Sequence, residues 1–456
     1  MTGQKHSEKR LALINKIHHS PLVIVSAVSG GGSLAVSDLM CVAGASRTVL
    51  EAIVPYSTTA LDSFIGVKPD SYCCEHTARQ MAMLAFHRGM KLIQARKKTP
   101  AELLDYVNLV GISCTAALST DREKRGEHRI FIATQTLRRT TVCSLVLTKG
   151  KRTRAEEERL AADLVLNMIA DAQDNAKVAM YQMIDDEECE LGELDFDTFS
   201  TDSTNQHHVE MSIPLDISRN EMFTAKRVTG TSFLTDLFFG KTEAILWKNE
   251  KIRHVIKSCD HSNSEQRKSY NPHAIYSNAI FPGSFNPIHD AHVKIIKLAK
   301  EQLSCIVSIE MSVLNFEKPP VDFISLAERL NVINSIIPDQ PVWLTRVPDF
   351  VSKSKLFSGT VFVVGIDTLR RFADLSQYDN MPHRLQEISR DMARRCCKFL
   401  VFLRRMNNGE TESLETLDLP DILRDMCDEV PVEKFLMDIS STEIRRGNLR
   451  VVSEEE

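Results

Sequence analysis

What the chain lacks narrows it first. It has no Cys-x-x-Cys pair, and the adjacent pairs Cys73-Cys74 and Cys396-Cys397 do not have the spacing of zinc ligands. Its 11 cysteines, an odd number, fit reduced thiols in a cytoplasmic protein rather than a disulfide framework. No apolar run approaches the roughly 18 residues of a membrane span. Residues 1–16 are polar and carry no apolar stretch of the secretory kind. An excess of positive charge is also missing: 56 Lys and Arg stand against 61 Asp and Glu, and a net charge of −5 offers nucleic acid no basic field. The expectations are therefore no membrane, no nucleic-acid partner and no metal site built by the protein. What is present is ordinary globular composition, 43% apolar and 26% charged. At 456 residues the chain is too long for one core and should hold two or three domains.

Taken in order, residues 5–19 have the pattern of a short amphipathic helix, with Leu11, Ile14 and His18 on one stripe. A buried-strand run follows over 21–28 and ends in Ser29-Gly30-Gly31-Gly32-Ser33, after which a helical pattern continues through Met40. Strand, glycine loop and helix can cradle a phosphate, or can serve only as a tight turn with close helix packing. Helices are expected over 75–92 and 154–183, and strands over 49–56, 109–114, 129–134 and 140–147, which makes residues 1–183 an α/β domain. In 185–202, nine of 18 residues are Asp or Glu, the composition of a solvated linker. Residues 223–257 regain apolar content as a small insertion, so 184–273 separate two domains. From 274 to 456 strands alternate with helices again. That rhythm predicts a second α/β domain, a doubly wound parallel sheet whose ligands sit beyond the carboxyl ends of the strands.

The loops at those ends carry the chemistry. A strand over 279–281 runs into Gly283-Ser284-Phe285-Asn286-Pro287-Ile288-His289-Asp290-Ala291-His292. Glycine permits the turn, the helix start presents N–H groups, and histidines three apart share one face. A strand over 360–364 ends in Gly365-Ile366-Asp367. Near the end of the chain, Ser440-Ser441-Thr442-Glu443-Ile444-Arg445 has capping-box spacing followed by basic residues, a second helix start suited to phosphate oxygens.

Together these residues resemble the HxGH nucleotidyltransferase superfamily, and most of all the nicotinate/nicotinamide mononucleotide adenylyltransferases. The resemblance covers residues 275–456 and implies a Rossmann-like nucleotidyltransferase fold. It also implies in-line attack of an acceptor phosphate on the α-phosphate of a nucleoside triphosphate, with release of pyrophosphate. By the family pattern His289 and His292 are catalytic, and Gly283, Ser284, Phe285, Asn286, Gly365, Asp367, Ser440, Ser441, Thr442 and Arg445 bind nucleotide, with Lys318 as a further phosphate contact. Mg2+ would enter with ATP, which ranks ahead of CTP. One departure stands out: the family has glycine where this chain has Ala291.

Residues 25–66, Gly111-Ile112-Ser113 and the helix from Arg154 are similar to the CinA C-terminal family of nicotinamide-nucleotide amidases. That family has a serine nucleophile in its glycine loop and a lysine a few residues after Tyr-Ser. Here Thr58-Thr59-Ala60-Leu61 follows Tyr56-Ser57, so the domain reads as degenerate, with a pocket at Ser29, Gly30, Gly31 and Tyr56. The two resemblances imply NAD metabolism, with a nucleoside triphosphate and a phosphorylated small-molecule acceptor such as a pyridine mononucleotide as partners. A homo-oligomer stays open. The alternatives are a nucleotide-binding pseudoenzyme with a regulatory or scaffolding role and an amidase in the N-terminal domain.

Overall fold

The computed structural model describes residues 2–96, 106–122, 125–185, 196–197, 209, 211–218, 220–257, 279–314, 320–405, 411–430 and 435. The chain divides into two compact units. Residues 1–192, 199–235 and 316–327 make the first, and 193–198, 236–315 and 328–456 make the second. No helix among the described residues is long and apolar enough to cross a membrane.

The first unit is built on a six-stranded mixed sheet. Strands β1 (Val23–Ser29), β2 (Val49–Ile53), β3 (Leu109–Ala117), β4 (His128–Gln135) and β5 (Arg139–Leu147) come first in the chain. β6 (Phe196–Asp197) belongs to the other sheet, and β7 (Met222–Thr229) completes this one in the order β2-β1-β3-β4-β5-β7. β1 runs parallel to β2 and β3, and the remaining pairs are antiparallel. Helix Arg154–Asp185 supplies Leu160, Leu164 and Met168 to the core that also holds Ile24, Ile112 and Ile130. Helix Thr2–His18 packs through Leu13, Ile14, Ile17 and His18, while Leu11 is exposed. The buried stripe therefore runs through 13, 14, 17 and 18, neighbours one turn apart, and leaves Leu11 outside it.

The second unit holds a nine-stranded sheet. Its members are β6, β8 (Thr242–Lys248), β9 (Lys251–Lys257), β10 (Ala279–Pro282), β11 (Val307–Ser312), β12 (Val342–Thr345), β13 (Val361–Gly365), β14 (Lys398–Phe402) and, after the short hairpin β15 (Arg404–Arg405) and β16 (Thr411–Glu412), β17 (Cys427–Val430). The order is β17-β14-β13-β10-β11-β12-β8-β9-β6. Six strands are parallel, and β8, β9 and β6 add an antiparallel edge. The expected doubly wound parallel sheet is thus extended by strands from the acidic and insertion segments. The stretch between the two expected domains is divided: β7 closes the first sheet, and β8 and β9 widen the second. The order reverses at β10, with β11 and β12 on one side and β13, β14 and β17 on the other. This reversal is the switch point where a ligand crevice opens in such sheets.

β7 is held to the first sheet partly by one carboxylate. Glu221, whose side chain is fully buried, accepts from the Thr148 and Ser218 amides at 3.0 and 2.7 Å and pairs with Arg152. Hydrogen bonding to Arg152 outweighs burial and holds its carboxyl well below the usual range. A folded-state value below the unfolded one gives stability that is present above the unfolded value of about 4.3 and lost as pH falls. Glu221→Gln should cost about 3 kcal/mol in urea unfolding at neutral pH and flatten the acid limb of the stability curve below about pH 4.5. An unchanged acid limb would contradict this account.

Candidate functional site

The loop after β10 is shaped by one aromatic ring. Phe285 is buried although its φ is +41°, a region that bulky side chains rarely occupy. Its ring lies 5.2 Å from Phe281 and 4.9 Å from His292, both edge to face. It also covers Gly283, where a Cβ would come within 2.8 Å of the ring. Glycine is needed there because Phe285 takes the space. The Gly283 N–H donates to the Glu310 carbonyl of β11 at 2.9 Å, and Arg329 donates to the Ser284 carbonyl at 3.2 Å. Ser284 is exposed, and half-buried Asn286 precedes a cis peptide bond to Pro287.

Helix Asp290–Leu303 starts immediately afterwards. His289 is its N-cap, in extended conformation and without a side-chain capping bond, and His292 is the third helical residue. That spacing stacks the two imidazoles with centroids 3.7 Å apart and planes 24° apart. His289 is 3% exposed, and the Nδ1 atoms of both rings are buried without a hydrogen-bond partner among the described residues. Burial lowers the His289 pKa against the opposing pull of Asp290. Burial and the neighbouring His289 bring His292 down to about 3. At neutral pH the pair is uncharged. Ala291 is only 5% exposed, so its methyl is accommodated by protein.

Three strands on in sequence, but beside β10 in the sheet, the β13 loop opens helix Ile366–Ala373 with Gly365 as its N-cap. Gly365 has an ordinary extended φ of −79°, and a Cβ there would meet nothing within 4 Å, so neither conformation nor protein packing demands glycine. Asp367 lies in the first turn and pairs with Arg370 at 3.2 Å, which in turn pairs with Glu412. Lys318, Ser440, Ser441, Thr442 and Arg445 lie outside the described residues. Sequence reading passed over Arg329 and Glu310. Neither sits in a motif: Glu310 reaches the loop through its main-chain carbonyl, and Arg329 through its guanidinium.

In the first unit the glycine loop is filled from within. The Glu158 carboxylate accepts from the Gly32 and Leu34 amides at 2.9 and 3.0 Å and from the Ser33 hydroxyl at 2.8 Å. A protein carboxylate thus takes the position that an anion would occupy at this helix start. The glycines answer to packing: a Cβ on Gly30 would fall 2.1 Å from the Ala116 carbonyl oxygen, and one on Gly31 2.8 Å from Leu118. The Ser29 hydroxyl is buried and donates to the Pro55 carbonyl at 3.0 Å, while Tyr56 is 68% exposed. A serine whose proton goes to a main-chain carbonyl is not activated as a nucleophile.

Comparison with known proteins follows the same division. No curated protein matches the chain. The N-terminal region is similar to solved structures of the CinA group. One is a competence/damage-inducible protein, CihA, from Agrobacterium tumefaciens, with 19% identity over 36% of this chain and 95% of that one and a TM-score of 0.28. Another is a CinA superfamily protein from Escherichia coli, with 16% identity over 35% and 84% and the same TM-score of 0.28. Residues 280–447 match the model of the cytidylyltransferase-like family, so the C-terminal part of this chain carries a cytidylyltransferase-like domain.

Proposed function

We propose that the protein is a nucleotidyltransferase that moves a nucleotidyl group, adenylyl ahead of cytidylyl, from a nucleoside triphosphate to a phosphorylated acceptor such as a pyridine mononucleotide, releasing pyrophosphate. One observation carries this reading: the stacked His289–His292 pair at the first turn of the helix that follows β10, within the stretch matched by the family model. The helix N-terminus, with its positive dipole end, favours a polyphosphate, whose charge raises the pKa of the His289 imidazole that caps it. An acceptor phosphate oxygen supplies the electron pair of the new bond to the α-phosphorus, and the pair of the broken bond from the α-phosphorus to the α,β-bridging oxygen leaves with pyrophosphate. No enzyme nucleophile is required, so positioning and charge stabilisation supply the rate. Among the described residues no group of three or more His, Cys, Asp or Glu could hold a metal, and magnesium is proposed to arrive as the triphosphate complex.

A second reading, a nucleotide-binding pseudoenzyme, rests on Ala291 standing at the family's glycine. The burial of that methyl against protein favours an active site over a relic. The amidase alternative gains nothing from Ser29 or from a loop filled by Glu158.

Two outcomes are expected. Pyrophosphate release from ATP and magnesium, screened over phosphomonoester acceptors, should fall on the order of a hundredfold in His292→Ala and in His289→Ala. Release no greater than that of the double-alanine control would remove the transferase reading, and turnover appearing only in Ala291→Gly would install the pseudoenzyme. Triphosphate binding followed by calorimetry in buffers of different ionisation enthalpy should show proton uptake that grows from about pH 8 to about pH 6, because both histidines start uncharged. Uptake that persists in the double-alanine variant would assign the protons to other groups.

A further inference from the structure

β11 carries a charged group where the sheet is most deeply buried. Glu310 is 0% exposed, and the turn that opens the histidine loop hangs on its main chain through the Gly283 N–H. Pro282, the last residue of β10, is aligned with Glu310 across the sheet. The Glu310 side chain is itself tied down on two sides. Oε1 accepts from the Thr345 hydroxyl at 2.5 Å, at the end of β12, and Oε2 forms an ion pair with Lys353 Nζ at 3.3 Å, on helix Phe350–Leu356. Lys353 is also buried, donates to the Pro348 carbonyl at 3.2 Å and lies over the Phe350 ring. Burial pushes the Glu310 carboxyl up, against the pull of Lys353 and Thr345.

Such a pair is a costly way to fill a core. The desolvation of two charges offsets most of their attraction, and apolar residues of the same size commonly serve stability as well or better. A stabilising role therefore does not account for it. What the pair does supply is geometry. It joins the ends of β11 and β12 to the helix Phe350–Leu356, at the level where β10 stops and the Gly283 turn begins. An apolar replacement would fill the space but would leave the direction of the β11 main chain free to adjust, and with it the carbonyl that holds Gly283.

We propose that Glu310, held by Lys353 and Thr345, is a positioning residue that fixes the Gly283 turn and, through it, the Phe285–His292 packing in which a triphosphate would be gripped. Neither side chain is aimed at substrate: the pair lies on the side of the sheet of Ile280 and Trp343, whereas His292 packs against Phe281. The functional part of this inference rests on the transferase reading, while the structural part does not.

The test is the double variant Glu310→Leu/Lys353→Met, which removes both charges and keeps the volume, compared in the full chain with the wild type. Its thermal midpoint is expected to match or exceed that of the wild type, and Glu310→Gln alone, which strands Lys353, is expected to lower it. Amide exchange over residues 283–286 should become at least about tenfold faster in the double variant, with the rest of β10, β11 and β12 unchanged. ATP turnover should fall on the order of tenfold to a hundredfold in kcat, with a smaller change in KM. Unchanged exchange at 283–286 in the stable double variant would overturn the proposal. So would exchange that quickens across the whole sheet, because that marks a merely structural pair. If exchange rises locally while the wild type itself shows no turnover or ATP binding, the positioning of the turn stands and the transferase reading is the one that fails.

Discussion

The packing of the Phe285 ring over Gly283 and against His292 is the contact on which the C-terminal unit's site depends. A ring at φ +41° is held only where its surroundings over-determine it. Here Phe281 below, the bare glycine beside it and the imidazole above leave it one position. That position decides where the chain enters helix Asp290–Leu303, and the entry decides that the N-cap and third residue are both histidines, face to face. The low pKa of His292 is a consequence of the same burial. Loop shape, histidine stacking and histidine charge are thus one arrangement, carried outward from a four-residue strand at the point where the sheet order reverses.

The two units show how one local motif takes opposite roles. Each contains a strand, a glycine turn and a helix start. In the first, Glu158 on a helix more than a hundred residues away in sequence satisfies the amides of Gly32 and Leu34 and the Ser33 hydroxyl. The electrostatic demand of the helix start is met internally, and Ser29 spends its proton on a main-chain carbonyl. In the second, the N-cap side chain of His289 makes no capping bond, and its ring and that of His292 each leave a buried nitrogen unpaired among the described residues. The first arrangement ties a helix start to its own fold, and the second sets two titratable rings at one.

Much of this was legible from residue order alone. Period and glycine punctuation marked both α/β units, the helices Thr2–His18, Glu75–Arg96 and Arg154–Asp185, and the strands on either side of the histidine loop. The three-residue spacing of His289 and His292 carried their shared face, because helical geometry is local. The part played by Gly283 was legible only as permission to turn. That a Phe285 ring occupies the space of its missing side chain is a packing fact, which no neighbour in sequence announces. Leu11 shows the same limit: three residues fitted a stripe, and the core selected a different set.

Local sequence determined where strands and helices begin, which residues share a helical face, and the type of site that the loop at 283–292 can build, because those properties depend on backbone geometry over a few residues. Tertiary structure decided what lies against them. It brought Glu158 to the first glycine loop, sent β7 to one sheet and β8 and β9 to the other, and set the buried Glu310–Lys353 pair beneath the Gly283 turn. These are contacts between residues 40 to more than 120 positions apart, and their energies depend on burial and on partners that only the folded chain supplies.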